Sequence, residues 1–304
     1  MVLHDLASLD AVRGGDDHAF PPLRGRAPPL GAGRQSIPPP GVRQGRSPPA
    51  GAPAARPVGS SASSTRRVAR RMKRSQINTI LREADAFVRS FGFALPPFAH
   101  WEPARFASER ERIAGILEAG LGWDVTDYGR GRFDAVGLVL FTLRNGRAAD
   151  LARGRGMLYA EKLMIVGRDR LGPMHRHDVK AEDIIVRGAP GDARLALQLF
   201  APAPDGSIDR KAPVRVPCDG IVREVEAGGV IRLGVGESIT LMPGVWHAFW
   251  GEGGDVLVGE VSTVNDDVGD NVFEEPLPRF PTIEEDEPPF RLLVGDYARL
   301  DAFA

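Results

Sequence analysis

A chain of 304 residues with 42% hydrophobic and 26% charged side chains is long enough for one large domain or two ordinary ones, and it holds no apolar run that could span a bilayer. Its formal charge of -1 conceals two unlike parts: residues 1–71 carry eleven arginines and four aspartates, which leaves 28 basic against 36 acidic side chains, of totals of 39 and 40, for the rest. So acidic a remainder lacks the clustered cations that nucleic-acid phosphates require, and a single cysteine, Cys218, excludes an intrachain disulfide framework and a multi-cysteine zinc site.

Residues 1–71 are rich in Pro, Gly, Arg, Ala and Ser and show no apolar periodicity, so they read as a disordered leader. It is either a transit-like segment or an upstream extension of a chain whose folded part starts at Met72. From there the pattern turns helical. Ile77, Ile80, Leu81, Ala84, Phe87 and Val88 fall at helical spacing, with Ser75 as the expected N-cap and Gly92 as the stop. A second helix is expected over "ARFASERERIAGILEAGLG", completing an N-terminal helical segment over 72–122. Beyond Trp123 the helical period gives way to short β-branched runs separated by Gly, Asp, Asn and Pro, among them "VGLVLFTLRNG", "EKLMIVG", "DIIVRG" and "DVLVGEVSTV". Many short strands with turn signals between them point to an all-β sandwich or barrel over 123–304, and the acidic, proline-punctuated "EEPLPRFPTIEEDEPPFRLL" reads as a wrapping tail.

Six histidines are present, and three of them, His175, His177 and His247, lie in two short segments, "PMHRHDVKAED" and "PGVWH". On a strand, residues i and i+2 share a face about 7 Å apart, so His175 and His177 project together and Arg176 points away. Two such imidazoles can close on one ion. Glu182 follows across a turn as a candidate carboxylate ligand, and His247, just after a Pro-Gly turn, is a candidate fourth. Of the others, His4 and His18 lie in the leader, and His100 reads as a packing or surface residue.

Glu260 interrupts an otherwise apolar strand, alternating with Val258 and Ser262. Aimed into a barrel it is expected to have a pKa raised by desolvation and to act as a general base. Lys162 ends "YAEK" ahead of the apolar "LMIV", so either it or Glu161 must face inward. Lys180, between the candidate ligands, could donate to a substrate oxygen. Trp246, Phe249 and Trp250 read as core or pocket wall.

"HRHDVKAE", followed by Gly188, resembles the first cupin motif, and "PGVWH" resembles the second in compressed form, with Gly251 where the usual closing Asn stands. The cupin fold is a double-stranded β-helix, or jelly-roll barrel, with its ion inside. A narrower resemblance runs over nearly all of 72–295: "MKRSQINTILREADAFVRSFGFALPPFAHW", "GLGWDVTDYG", "LVLFTLRNG", "YAEKLMIV", "MHRHDVKAEDII", "GESITLMPGVWHAFW", "LVGEVSTVNDD" and "RFPTIEEDEPP" look like the bacterial D-lyxose ketol-isomerase family. That resemblance implies a manganese-preferring aldose–ketose isomerase acting on D-lyxose and D-xylulose, often also on D-mannose and D-fructose. It further implies a homodimer, in which Asp267, Asp270 and Arg279 bind sugar hydroxyls; the single cysteine suits a reducing cytoplasm. Other readings stay open at this level: an iron-dependent dioxygenase, a phosphosugar isomerase, for which no basic cluster or Gly-rich phosphate loop is apparent, and a non-catalytic, metal-dependent sugar-binding cupin.

Overall fold

A computed structural model describes residues 71–303, so the leader expected over 1–71 lies, except for Arg71, outside the described residues. The N-terminal stretch runs through β1 (Met72–Lys73), α1 (Arg74–Ser90), a 3-10 turn at Pro97–His100, α2 (Pro103–Ser108) and α3 (Ala114–Ala119). Next come β2 (Gly122–Thr126), α4 (Phe133–Val136), β3 (Leu138–Arg144), α5 (Ala148–Leu151), β4 (Tyr159–Val166), β5 (Gly172–Arg176), β6 (Glu182–Gly188) and β7 (Arg194–Pro202). They are followed by β8 (Ile208–Asp209), β9 (Val214–Cys218), β10 (Ile221–Val225), β11 (Val230–Leu233), β12 (Ser238–Leu241), β13 (Trp246–Glu252) and β14 (Val256–Thr263). Two short strands, β15 (Val272–Phe273) and β16 (Ile283–Glu284), and a 3-10 stretch at Val294–Phe303 complete the chain. No helix among the described residues is long and apolar enough to cross a membrane.

Two sheets form the barrel. One runs β11-β7-β13-β5-β15 and the other β12-β6-β14-β4-β3-β2. Strand period decides what fills the space between them. On β14 Val256 and Val258 face the barrel core, as Met164 and Val166 do on β4, whereas Leu257, Leu163 and Ile165 turn to the opposite face. There they meet Ile77, Ile80, Leu81, Ala84 and Val88 of α1, the apolar stripe that the helical period marks. This is the cupin double-stranded β-helix, with α1 covering the outer face of one sheet. Gly188, the residue that follows the first histidine segment, ends β6 where a Cβ would lie 2.4 Å from the Phe91 ring, so a side chain there would push the helix end off the sheet.

Two local expectations are corrected. Ser75 is not the N-cap. Lys73 occupies that position without a side-chain cap, and the carboxylate of Asp286 accepts the Ser75 N–H at 2.9 Å and its hydroxyl at 2.7 Å. A residue 211 positions away thus satisfies a helix-end donor. The second helix breaks into α2 and α3, because the intervening "ERER" run offers no apolar side chain to bury, and so short a helix depends on packing. Phe106 and Ile113 are its fully buried anchors, packed with Leu292 and Leu300 near the C-terminus, and Ala107, Ile116 and Leu117 pack against them half-buried.

Polar contacts join the tail to α1. Arg74, fully buried, donates to Glu285 at 2.8 Å and to Asp296 at 2.7 and 3.0 Å, and Asn78 bonds Glu287, Pro288 and Phe290. The hydrogen bonds from Arg74 push the Glu285 carboxyl down to about 2. A depressed folded-state pKa contributes stability that is complete above the unfolded value near 4.5 and is lost as the pH falls toward 2. The unfolding temperature is therefore expected to drop across that window, and less steeply in Glu285→Gln. Thermal denaturation of both chains at stepped pH checks this.

Candidate active site

Antiparallel pairing of β5 with β13 sets His175 directly opposite His247, and His177 follows immediately after β5. A Pro243-Gly244 turn delivers β13. Gly244 takes φ +90°, as the third position of a type II turn demands, and its N–H donates to the His177 carbonyl at 2.8 Å. The two histidine segments are thereby joined to one another. The imidazole centroids lie 4.1 Å (His175–His247), 5.2 Å (His175–His177) and 5.8 Å (His177–His247) apart, with ring nitrogens from all three within 4.8 Å of one another.

Glu182 enters from the opposite sheet as the first residue of β6, its Oε1 3.6 Å from His177 Nε2 and 3.3 Å from His247 Nε2. Donors bound at about 2.1 Å to one ion stand roughly 3.0–3.4 Å apart at octahedral or tetrahedral angles, a spacing that Glu182 Oε1 and His247 Nε2 match at 3.3 Å and that the histidine nitrogens, within 4.8 Å of one another, approach. The tautomers suit a shared cation too. Each Nδ1 meets a backbone carbonyl: Pro173 for His175 at 2.8 Å, Asp270 for His177 at 2.9 Å, and Val245 for His247 at 3.1 Å. A carbonyl only accepts, so each Nδ1 carries a hydrogen, which leaves Nε2 as the nitrogen a metal ion would take. Burial, then the neighbouring imidazoles, holds His175 well below the usual histidine range, and burial takes His177 down to about 4.

From Glu182 an alternating chain of charges crosses the cavity wall. Lys180 Nζ lies 2.6 Å from Glu182 Oε2 and 2.9 Å from Glu260 Oε1. Glu260 stands opposite Lys162 across β14 and β4, at 3.6 Å, and Lys162 lies 3.3 Å from Asp267. Arg279 closes the series, 3.7 Å from Asp267 and 2.8 Å from Asp124. Each of the three cations has a carboxylate partner, so the wall offers no unmatched positive charge for a phosphate.

The expected raised pKa of Glu260 is corrected by this chain. Burial pushes its carboxyl up, but Lys162 and Lys180 outweigh it and hold the group below the usual glutamate value. Lys180 behaves inversely: burial opposes its charge, yet Glu182 and Glu260 raise its pKa.

Lys162, His175, His177, Lys180, Glu182, His247, Glu260, Asp267 and Arg279 all line one cavity. Asp270 does not line it. Its carboxylate accepts the N–H groups of Asp178, Val179 and Lys180 at 2.8–2.9 Å, tying down the loop between His177 and Glu182. Asp270→Ala is expected to weaken metal affinity about 10–100-fold by loosening that loop, with Asp270→Asn retaining part of it; metal titration of the three chains is the check. Arg176 faces away, over the Trp246 ring and paired with Asp178, whereas Phe249 lines the cavity. His100 lies outside the site, 3.6 Å from Asp85.

Sequence reasoning passed over Tyr128 and Asn271, which line the cavity, and Asp124, which anchors Arg279. Asp124 carries a legible signal, a carboxylate inside the fully buried strand "GWDVT", and burial raises its pKa.

A β-barrel that gathers three imidazoles, with a carboxylate facing them from the other sheet, defines a cupin-type centre whose histidine triad could hold a metal ion. The sequence profile of the D-lyxose isomerase family matches residues 72–297, and the chain belongs to that family. The D-lyxose/D-mannose isomerase of Serratia proteamaculans is 46% identical over 76% of this chain and 100% of its own length. Its counterpart from Escherichia coli O157:H7 is 44% identical over 74% of this chain and 98% of its own. Among solved structures, the L-ribose isomerase of Acinetobacter sp. DL28, in complex with L-ribose, matches 71% of this chain and 100% of its own at 17% identity and a TM-score of 0.47.

Proposed function

We propose that this chain interconverts aldoses and ketoses, with D-lyxose and D-xylulose as one pair and D-mannose and D-fructose as another, in the cytoplasm and as a homodimer. Family membership supports the reaction class. The observation that carries the mechanism is Glu260, a buried carboxylate between two lysines and one residue away, through Lys180, from a metal-ready cluster.

His175, His177, Glu182 and His247 are the residues we assign to the ion, and Mn²⁺ suits their mixed nitrogen and oxygen donors. When bound, such an ion supplies Lewis acidity and a template for adjacent sugar oxygens. Isomerisation moves one proton between C1 and C2 and another between the two oxygens. Glu260, held in its ionised form, takes the carbon-bound proton and returns it to the neighbouring carbon. Lys180 and Lys162, on either side of it, steady the carboxylate and donate hydrogen bonds to the oxygens where negative charge grows. Asp267 and Arg279 are assigned to sugar hydroxyls further along the wall.

The test strips the chain with a chelator, restores Mn²⁺ and offers D-lyxose, D-mannose, D-xylulose and D-ribose. Ketose formation from D-lyxose is expected only with the ion restored, and His247→Ala is expected to stay inactive after the same treatment. Absence of metal-dependent turnover from every sugar would sink the reading.

A further inference from the structure

Tyr128 stands in the same cavity but takes no part in the chain of ion pairs. It lies two residues past the end of β2, is 5% exposed, and adopts φ +53°, a left-handed conformation that bulky residues rarely hold unless their surroundings over-determine it. Here they do. Thr126 Oγ1 accepts the Tyr128 N–H at 3.0 Å and donates to the Arg279 carbonyl at 2.7 Å, so one hydroxyl clamps the backbones of Tyr128 and Arg279 together. The Phe273 ring meets the Tyr128 ring edge-on at 5.7 Å.

The ring is fixed, yet its hydroxyl makes no hydrogen bond among the described residues. Burial pushes the phenol up to about 12, so the group is neutral and can both donate and accept. Its position along the cavity is also defined. The Phe273 ring is shared by Tyr128 and the histidine cluster, 5.7 Å from Tyr128 and 5.7 Å from His175. A sugar whose reacting carbons lie between Glu260 and the histidines extends its remaining carbons along this wall. The nearby lining of Leu138, Leu140 and Met164 offers its hydroxyls nothing, and a buried hydroxyl without a partner is costly.

Resting on the isomerase reading above, we propose that the Tyr128 hydroxyl, together with the guanidinium of Arg279, whose backbone is tied to that of Tyr128 and which lines the same cavity, forms the subsite for the far-end hydroxyls of the sugar chain. Tyr128 is thus a binding residue that reads the sugar's chain end and leaves the proton transfer to Glu260.

Tyr128→Phe in the full chain removes only the hydroxyl. Two readouts apply: the Kd of an unreactive pentitol, measured by calorimetry on the metal-loaded chain, and kcat and KM for D-lyxose. The pentitol Kd and the KM are each expected to rise about tenfold, the loss of one good hydrogen bond, with kcat, bound metal and unfolding temperature unchanged. A merely structural role would instead move kcat, metal content and unfolding temperature together, and would overturn the assignment. So would a pentitol Kd within twofold of the unmodified chain. Weakened pentitol binding in a chain that turns over no sugar would uphold the subsite and overturn the isomerase reading; normal turnover with unchanged pentitol affinity would overturn the subsite alone.

Discussion

Glu260→Gln is expected to bind its metal ion normally and to lose turnover by about 10²–10⁴-fold, the usual contribution of a positioned general base. The substitution is nearly isosteric and keeps an oxygen for Lys180 to donate to, at the position where Glu260 Oε1 stands 2.9 Å from Nζ. It removes the one property that glutamine cannot supply, an accepting site for a proton. His175, His177, His247 and Glu182 are untouched, and Lys180 keeps its pairing with Glu182 at 2.6 Å. Bound metal by atomic emission, alongside steady-state kcat on D-lyxose, separates the two effects. Full activity in the variant would remove Glu260 from the proton transfer, and parallel loss of metal and turnover would make it a support for the ion rather than a base.

Arg74→Met is expected to cost stability rather than activity. The guanidinium is completely buried, and its two partners come from the far end of the chain, so it fastens the start of α1 to the tail. Methionine fills most of the volume but leaves Asp296, 1% exposed, with a buried charge supported only by the Leu293 N–H at 2.9 Å and by the partly exposed Arg299 at 2.8 Å. Breaking a buried pair from one side costs about 3–5 kcal/mol. In a domain of this size that corresponds to roughly 6–20 °C in unfolding temperature. Removing both partners, as Arg74→Met with Asp296→Leu, is expected to recover part of the loss, because no unpaired charge then remains inside. A double variant no more stable than Arg74→Met would show that the pair contributes more than mutual neutralisation.

The two variants act on features of unequal legibility. Glu260 is visible in the linear chain because a carboxylate inside an apolar strand breaks the strand's own pattern. Its inward direction follows from alternation with Val258 and Ser262, which are buried with it. The sign of its pKa shift does not follow. Desolvation is a local inference, whereas Lys180 and Lys162 reach Glu260 from 80 and 98 positions away and reverse the result. Arg74 reads as an ordinary charge at a helix start, and nothing nearby announces partners 211 and 222 positions further on.

What the sequence by itself determined is whatever short-range geometry controls. The two-residue period of a strand sets His175 and His177 on one side, a Pro-Gly turn introduces His247, and the helical stripe of α1 marks the face laid on the sheet. The scarcity of histidine singles out those three. Tertiary structure alone decided what each polar group meets. It turned Asp270 onto the backbone of the 178–180 loop, gave Asp286 the capping role expected of Ser75, and locked Tyr128 to Arg279 through Thr126. The physical reason is that direction along an element depends on backbone dihedrals a few residues long. Charge state and hydrogen-bond partnership depend on Coulomb and donor–acceptor contacts that only the pairing of distant strands creates.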